Sequence, residues 1–289
     1  MVKTVALPVR IRVGIAGVAA GRGHVWVNAS PNLVDIAAPA ATVRGVVGFG
    51  SPHRDAGLLG AAALAVGPNA VWVIGGRTIP SLSHSVARVA LSTHRYLRPV
   101  RISRGFPMGL ASGAGSFWIS TSEGEVVRAD AMTGHVQQTI PVTRSLDLVA
   151  YGGGSVWAAD GLHSRLFRID PGRDGVGQPV QVSGNLEGMV ATEGGVWTLD
   201  REHGLVSHLD AGGGILDRIS VGSEASAIVA GRRSVWVSGL DGVIRKIDGR
   251  PGQVVERTVV GAPLTGIAFD DLSGSLWVTV ARAFGRSPT

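Results

Sequence analysis

The sequence contains no cysteine, and only Lys3 and Lys246 are lysines among its 27 basic residues. The absence of cysteine excludes disulfide bonds, thiolate catalysis and cysteine-based zinc sites. It also suits a reducing compartment. Residues 1–14 lack the apolar core and the small-residue cleavage site of a secretory signal. We therefore expect a cytoplasmic protein.

Several common functional motifs are missing as well. The chain has no G-x-x-x-x-G-K-[ST] phosphate loop, no G-x-S-x-G nucleophile elbow and no H-E-x-x-H metal motif. The net charge of +6 comes from arginines scattered along the whole chain, and the few aromatic residues are not interleaved with them. This pattern indicates ordinary solvated surface and disfavours nucleic acid as a partner.

One uncharged run, residues 57–76, is long enough to suggest a membrane helix. Gly67, Pro68 and Asn69 interrupt it where related segments of the chain place a turn. Two buried strands joined by a hairpin explain the run better. We predict no membrane-spanning segment.

The chain is rich in glycine, with 43 residues, and it repeats a short tryptophan motif. Successive tryptophans are 46, 46, 39, 40, 39 and 41 residues apart. A period near forty with strand-like units is typical of a β-propeller. The indoles should form the core between blades. The seven positions are Trp26, Trp72, Trp118, Trp157, Trp197, Trp236 and Trp277.

Each unit resolves into four short strands divided by turn residues. In the sixth unit we predict strands at 226–230, 234–238, 243–248 and 254–260. The third strands of units three to six end in an aspartate that we expect to accept hydrogen bonds from turn amides. Only twelve residues follow Trp277, so residues 2–8 are expected to complete the last blade. The prediction is one all-β domain, 1–289, a seven-bladed β-propeller of four-stranded antiparallel blades closed by its N-terminal strand.

The phrases G-x-G-S-V-W, R-I-D and T-V-V-G-A-P-L-T-G-I-A resemble those of the YVTN/NHL-like and virginiamycin-B-lyase-like propellers. The resemblance covers essentially the whole chain and implies a propeller fold. Streptogramin lyases in that group carry catalytic histidine and glutamate residues. The matching positions here are Ser226, Thr265 and Val280. The lyase chemistry is therefore not expected to carry over.

Residues just before each inner strand should face the central channel, where propellers usually bind ligands. Counting back ten residues from tryptophan predicts such positions in units three to six, and in unit seven the count is twelve because of a two-residue insertion around Asp270 and Asp271. These are Met108, Asp147, Glu187, Ser226 and Thr265.

Asp147 and Glu187 belong to adjacent units and are candidates for acid–base catalysis or for binding a divalent cation, Mg²⁺ or Ca²⁺. Asn185 and Glu224 lie in the same class of loop and could join them as ligand-binding residues. The alternative is that these side chains bind backbone amides at the strand starts or hold water.

Two departures from the repeat suggest added function. Residues 48–57 form a long approach to the second unit and contain His53, Arg54 and Asp55. His53 is a candidate proton shuttle, and Arg54 and Asp55 are candidate ligand-binding residues. The other departure is an insertion at 75–85. Drift in a terminal repeat would produce the same departures.

A third candidate cluster lies in two loops that join second to third strands in adjacent units. One loop contains His163 and Arg165, and the other contains Asp200, Glu202 and His203. Such side chains could bind a metal or a substrate. They could also be ordinary polar loop residues.

These observations favour a propeller that binds a small molecule or a protein partner at the mouth of its channel. An enzyme acting on a small metabolite, either a lyase, an isomerase or a cyclase, is the alternative, with Asp147, Glu187 and a nearby histidine in the catalytic roles. A sensor domain of a larger regulator is a third possibility. The fold itself does not separate these functions.

Overall fold

The computed structural model describes residues 5, 17–29, 32–48, 63–74, 84–182, 184–231, 233–248 and 252–280. These residues form β-strands and turns, and none of them lies in a helix. Accordingly, the described part of the chain has no helix long and apolar enough to cross a membrane. The described residues of the uncharged run, 63–74, form the predicted hairpin, because two strands flank the turn at Gly67, Pro68 and Asn69.

The strands follow one another in chain order as antiparallel sheets. The first blade consists of β1 (Val18–Gly21), β2 (His24–Ala29), β3 (Asn32–Ala37) and β4 (Thr42–Gly48). The second consists of β5 (Leu64–Val66), β6 (Ala70–Ile74), β7 (Ser85–Ala90) and β8 (Tyr96–Arg101). The third consists of β9 (Pro107–Gly113), β10 (Ser116–Thr121), β11 (Glu125–Asp130) and β12 (Val136–Pro141).

The fourth blade consists of β13 (Leu148–Gly152), β14 (Ser155–Asp160) and β15 (Arg165–Asp170), with its outer position shared by β16 (Gly175–Val176) and β17 (Val180–Gln181). The fifth blade consists of β18 (Leu186–Thr192), β19 (Gly195–Asp200), β20 (Leu205–Leu209) and β21 (Ile215–Ser220). The sixth consists of β22 (Ala225–Ala230), β23 (Ser234–Gly239), β24 (Val243–Asp248) and β25 (Gln253–Val259). The last sheet consists of β26 (Leu264–Asp270) and β27 (Ser275–Val280).

The prediction of seven four-stranded blades is wrong. The described residues form six blades, and the tryptophan motif around Trp277 lies in a sheet of only two strands. That sheet lies between the sixth blade and the first, because β26 contacts both β22 and β1. No further strand pairs with β27 among the described residues. Residues 2–8, from which a closing strand was expected, lie outside the described residues apart from Val5.

The tryptophans pack one blade against the next, as predicted. Trp72 is fully buried and stacks on Phe117 of the following blade with ring centroids 4.0 Å apart. Trp118 lies in one apolar cluster with Val156 of the fourth blade. Burial of such large apolar surfaces is the main stabilising term of the fold. Trp26, Trp72, Trp118, Trp157 and Trp197 are buried, and Trp236 and Trp277 are partly exposed.

Three of the four aspartates that end third strands bind their own turns, as predicted, and the residues that follow the fourth, Asp248, lie outside the described residues. The carboxylate of Asp130 accepts hydrogen bonds from the backbone N–H groups of Met132 and Thr133 at 3.1 and 2.7 Å. Asp170 accepts one from Gly172 at 2.8 Å. These bonds are local, so each of these turns is fixed by its own residues.

On each third strand, one residue is paired with the tryptophan of the second strand. In the second and third blades this residue connects its blade to the next one. Arg88 is paired with Trp72, and its guanidinium crosses to the third blade. Arg128 is paired with Trp118, and it donates to the carbonyl of Pro171 in the fourth blade at 2.9 Å. We call this position, paired with tryptophan on each third strand, the clasp position. In the six blades it holds Asp35, Arg88, Arg128, Arg168, His208 and Lys246.

Candidate functional site

The candidate site lies at one end of the ring. Each inner strand begins at this end, and each second strand ends there, because the two are antiparallel. The loops between second and third strands therefore surround the start of the inner strands. We call this end the mouth; its loops in the third to sixth blades are residues 122–124, 161–164, 201–204 and 240–242.

The residues predicted to face the channel occupy a special backbone position. Met108, Glu187, Ser226 and Thr265 are the extra residues of β-bulges, since their two neighbours pair with consecutive residues of the second strand. A bulge redirects a side chain and is common next to functional sites. Counting from tryptophan thus located a structurally equivalent position in four sheets. Asp147 corresponds to it in the fourth blade, directly before the inner strand.

Two of these side chains form hydrogen bonds with other strands of the ring. The hydroxyl of Ser226 donates to the carbonyl of Leu264 at 2.8 Å and so connects the sixth blade to the two-stranded sheet. The hydroxyl of Thr265 lies 3.1 Å from that of Thr279 on the adjacent strand. Both groups therefore already have partners within the chain.

Asp147 and Glu187 lie on adjacent blades, as predicted, but each carboxylate has its own partner. The backbone N–H of Gly161 donates to Oδ2 of Asp147 at 3.1 Å, and the carbonyl of Gly161 accepts from Leu186 at 3.2 Å. Oε2 of Glu187 lies 3.4 Å from Nε of Arg201. Both members of this ion pair are more than a third exposed, so it contributes little to stability. For Asp147 the structure therefore shows the alternative to catalysis or cation binding that the sequence analysis gave, a hydrogen bond from a backbone amide.

The remaining residues of the inner rim are more accessible. The side chain of Met108 is exposed. Glu224 is exposed as well, and its carbonyl accepts from the N–H of Leu240 at 2.7 Å. Asn185 is half-buried directly before the fifth inner strand. These three positions are available to a ligand at the mouth.

Two histidines of the mouth loops are held by buried carboxylates. Nδ1 of His163 lies 2.8 Å from Oδ1 of Asp160, and Nη2 of Arg165 donates to Oδ2 of the same carboxylate at 2.6 Å. Burial raises the pKa of Asp160, but the hydrogen bonds from Arg165 and His163 outweigh it, so the pKa lies below its ordinary value. The carboxylate is therefore ionised and fixes the imidazole at Nδ1.

The next blade repeats this arrangement. Nδ1 of His203 lies 2.8 Å from Oδ2 of Asp200, whose carboxylate also accepts the backbone N–H of His203 at 3.1 Å. The imidazoles of His163 and His203 are 61% and 63% exposed, so both rings face solvent. Glu202 is exposed beside them.

Sequence reasoning identified both histidines but missed Asp160 as the group that orients the first one. The signal was present as a repeated D-x-x-H, at Asp160 and His163 and again at Asp200 and His203, forty residues apart. Sequence reasoning also missed two exposed leucines in the mouth loops. Leu162 is 76% exposed, and Leu240 is 41% exposed.

A metal site stays a prediction. Within the described ranges, no group of three or more histidine, aspartate or glutamate side chains could hold a metal ion. The paired carboxylates Asp147 and Glu187 would need further ligands from the rest of the chain or from water. His53, Arg54 and Asp55 lie outside the described residues, as do residues 75–83 of the predicted insertion.

Comparison with known proteins supports the fold. The ring of antiparallel sheets makes this chain a β-propeller. Among solved structures it is similar to that of BamB from Moraxella catarrhalis, also a β-propeller, with 19% sequence identity and a TM-score of 0.61 over 91% of this chain and 79% of BamB. No family model and no curated protein matches the chain. At this identity the similarity establishes the fold alone, and the relation to the YVTN/NHL-like and virginiamycin-B-lyase-like propellers stays a prediction.

Proposed function

We propose that this chain is a binding propeller whose mouth docks a protein partner. The observation that carries the proposal is the exposure of apolar side chains at the mouth, at Met108, Leu162 and Leu240. Single exposed apolar residues are common on protein surfaces. The opposite end also exposes apolar residues, among them Met132 and Leu272, but Leu162 at the mouth is the most exposed large apolar residue of the described part of the chain, at 76%. Methionine is also enriched in protein interfaces.

The charges of the mouth also suit a protein partner better than a nucleic acid. Arg144 and Arg201 are balanced by Glu187, Glu202 and Glu224 at the same end. A surface with both signs of charge around apolar residues is the usual rim of a protein interface. A nucleic-acid surface would need a continuous basic patch.

The similarity to BamB is compatible with this proposal, because propellers commonly serve as binding or scaffold domains. The cytoplasmic location stays a prediction. A fractionation experiment with the full-length chain would test it.

The proposal is tested by photo-crosslinking in cells that produce the protein naturally. A photoreactive amino acid replaces Leu162 at the mouth or, as a matched control, Leu272, which is 71% exposed in the turn at the opposite end. We expect a discrete protein adduct from position 162 and none from position 272. A His203→Ala change in the same chain should reduce that adduct. Equal adducts from both positions, or none from either, would contradict docking at the mouth.

An enzyme acting on a small metabolite is the second candidate. The fixed imidazole of His163 favours it, because a carboxylate that binds Nδ1 leaves Nε2 free to exchange protons. Asp147 and Glu187 would contribute charge nearby, with or without a divalent cation. Turnover of any metabolite should then fall in a His163→Gln variant and show a changed pH profile. A variant with unchanged turnover would exclude this histidine from the chemistry.

A further inference from the structure

A cavity lies between the fifth and sixth blades, at the end of the ring opposite the mouth. Its volume is about 680 Å³. It adjoins a smaller cavity with a volume of about 470 Å³, and both are lined by Thr192, Glu193 and Gly231. The residues that matter for its chemistry are Glu193, Trp197, His208, Asp217, Arg233 and Asp248. We call it the lower cleft.

His208 is the central group of the lower cleft. The residue is only 6% exposed, and its ring stacks on Trp197 with centroids 3.8 Å apart and planes 6° from parallel. Neither ring nitrogen has a partner within strict hydrogen-bonding geometry among the described residues, and the polar groups nearest to them are the carboxylate of Asp217 and the backbone of Gly194. The closest charged atom is Oδ2 of Asp217, 3.5 Å from Nδ1.

Burial of His208 favours its neutral form. It lowers the pKa of the imidazole, although the carboxylate of Asp217 acts in the opposite direction. A neutral imidazole has one donor and one acceptor nitrogen. Leaving both unpaired in the interior costs free energy, so an external partner would stabilise the site.

Comparison with the other blades shows what is missing here. His208 occupies the clasp position, where Arg88 and Arg128 place a guanidinium between two blades. In those blades the guanidinium also lies over the tryptophan ring, 4.9 Å from Trp72 and 5.2 Å from Trp118. Histidine is shorter and makes no such crossing among the described residues. The lower cleft therefore opens at the position where the second and third blades bind their own cation.

The charge of the lower cleft fits a cation as well. Among the described residues of its lining are three carboxylates, from Glu193, Asp217 and Asp248, and one guanidinium, from Arg233. This excess of carboxylates is local, because the whole chain has a net charge of +6. A cation bound beside them would be attracted, whereas an anion would be repelled.

We propose that the lower cleft binds an organic cation with N–H donors, a guanidinium or ammonium group, between His208 and Asp217. One N–H donates to the free acceptor nitrogen of the imidazole, and the charge faces the carboxylate. The cation is either a free metabolite or the side chain of an arginine or lysine on a partner. This site is separate from the mouth and does not depend on the function proposed there.

The proposal is tested by isothermal titration of the full-length chain. The probes are n-butylguanidinium, its uncharged analogue n-butylurea, and a short end-capped peptide with one central arginine. We expect n-butylguanidinium or the peptide to bind, and the urea analogue to bind at least about tenfold more weakly. Tighter binding of the peptide would indicate a partner's side chain as the source, and tighter binding of n-butylguanidinium a free metabolite. No binding of either cation up to about 10 mM, or equal binding of the urea analogue, would overturn the proposal.

Variants locate the binding in the lower cleft. His208→Arg supplies the chain's own guanidinium, as Arg88 does, and should reduce cation affinity at least about tenfold while the protein stays folded. Asp217→Asn should weaken binding and provides the test if the first variant does not fold. Glu256→Gln, on the outer strand of the sixth blade and outside the cleft lining, is the control and should bind as the parent chain does. Unchanged affinity in both cleft variants would contradict the assignment.

Discussion

Arg88 of the second blade donates from Nη2 to the carbonyl of Met132 in the third blade across 2.7 Å. Its Nη1 donates to the carbonyl of Thr133 in the same turn at 2.6 Å. The residue is only 3% exposed. One side chain therefore satisfies two backbone acceptors of the neighbouring blade and connects sheets that otherwise meet through apolar packing.

We predict that Arg88→Met destabilises the ring by about 2–4 kcal/mol, because it leaves two carbonyls without their charged donor. Arg98→Met, an exposed arginine on the next strand of the same blade, is the matched control and should change stability by less than about 0.5 kcal/mol. Urea unfolding of the two variants measures the difference. Similar midpoints for both would show that the contact between blades adds nothing to stability.

Asp160 should make the stability of the fourth blade sensitive to acid. Hydrogen bonds from Arg165 and His163 outweigh burial and hold the pKa of its carboxyl below the ordinary value. A carboxyl whose pKa is lower in the folded state stabilises the protein above the unfolded pKa of about 3.9, and this contribution is lost as the pH falls through the folded pKa. Asp160→Asn should therefore lower stability at pH 7 by about 2 kcal/mol.

The pH dependence separates this charge effect from a packing defect. The difference between Asp160→Asn and the parent chain should be smaller at about pH 3 than at pH 7, because below the unfolded pKa of about 3.9 the unfolded parent chain binds a proton more readily than the folded chain does. Thermal unfolding at both pH values measures it. Glu202→Gln, an exposed change in the equivalent loop of the next blade, should be neutral at either pH. A difference that stays constant down to pH 3 would exclude the ionised carboxylate as the cause.

The inner strands of the fourth and fifth blades approach each other closely at Gly152. A Cβ atom there would lie 2.4 Å from the carbonyl carbon and oxygen of Ala191, which are backbone atoms. We predict that Gly152→Ala destabilises the protein by about 1–3 kcal/mol, since the neighbouring strand must move. Gly175→Ala, where nothing lies within 4 Å of the added atom, should be neutral or slightly stabilising. Denaturant midpoints compare the two, and equal midpoints would contradict the close approach.

Much of the fold could be predicted from the sequence because each blade repeats the same local pattern. In the sixth blade the predicted strand 243–248 agrees with the observed Val243–Asp248, and the other three strands agree within one residue. The blade number was wrong for a physical reason. A tryptophan motif indicates a second strand packed against a neighbour, and it carries no information on whether outer strands complete the sheet. At Trp277 the described residues form a sheet of only two strands.

The candidate site could be predicted in position but not in chemistry. The repeat period located the bulged residues Glu187 and Ser226, since equivalent positions recur at equal spacing. It could not show that the hydroxyl of Ser226 binds Leu264, because that contact joins segments 38 residues apart. The unpaired imidazole of His208 was missed for the same reason. Its environment is formed by two blades, and the third-strand pattern alone shows only a histidine where three other blades have arginine.

His208 provides the last prediction, on stability between pH 5 and pH 7. Burial lowers the pKa of its imidazole, so the unfolded chain binds a proton more readily than the folded chain does. Stability should therefore fall as the pH drops below the unfolded pKa of about 6.5. In His208→Phe, where the ring can still stack on Trp197, this part of the decrease should disappear. We expect the parent chain to lose roughly 1 kcal/mol relative to the variant between pH 7 and pH 5, measured by urea unfolding. Parallel stability curves for the two proteins would show that the imidazole gains its proton in the folded state as readily as in the unfolded chain.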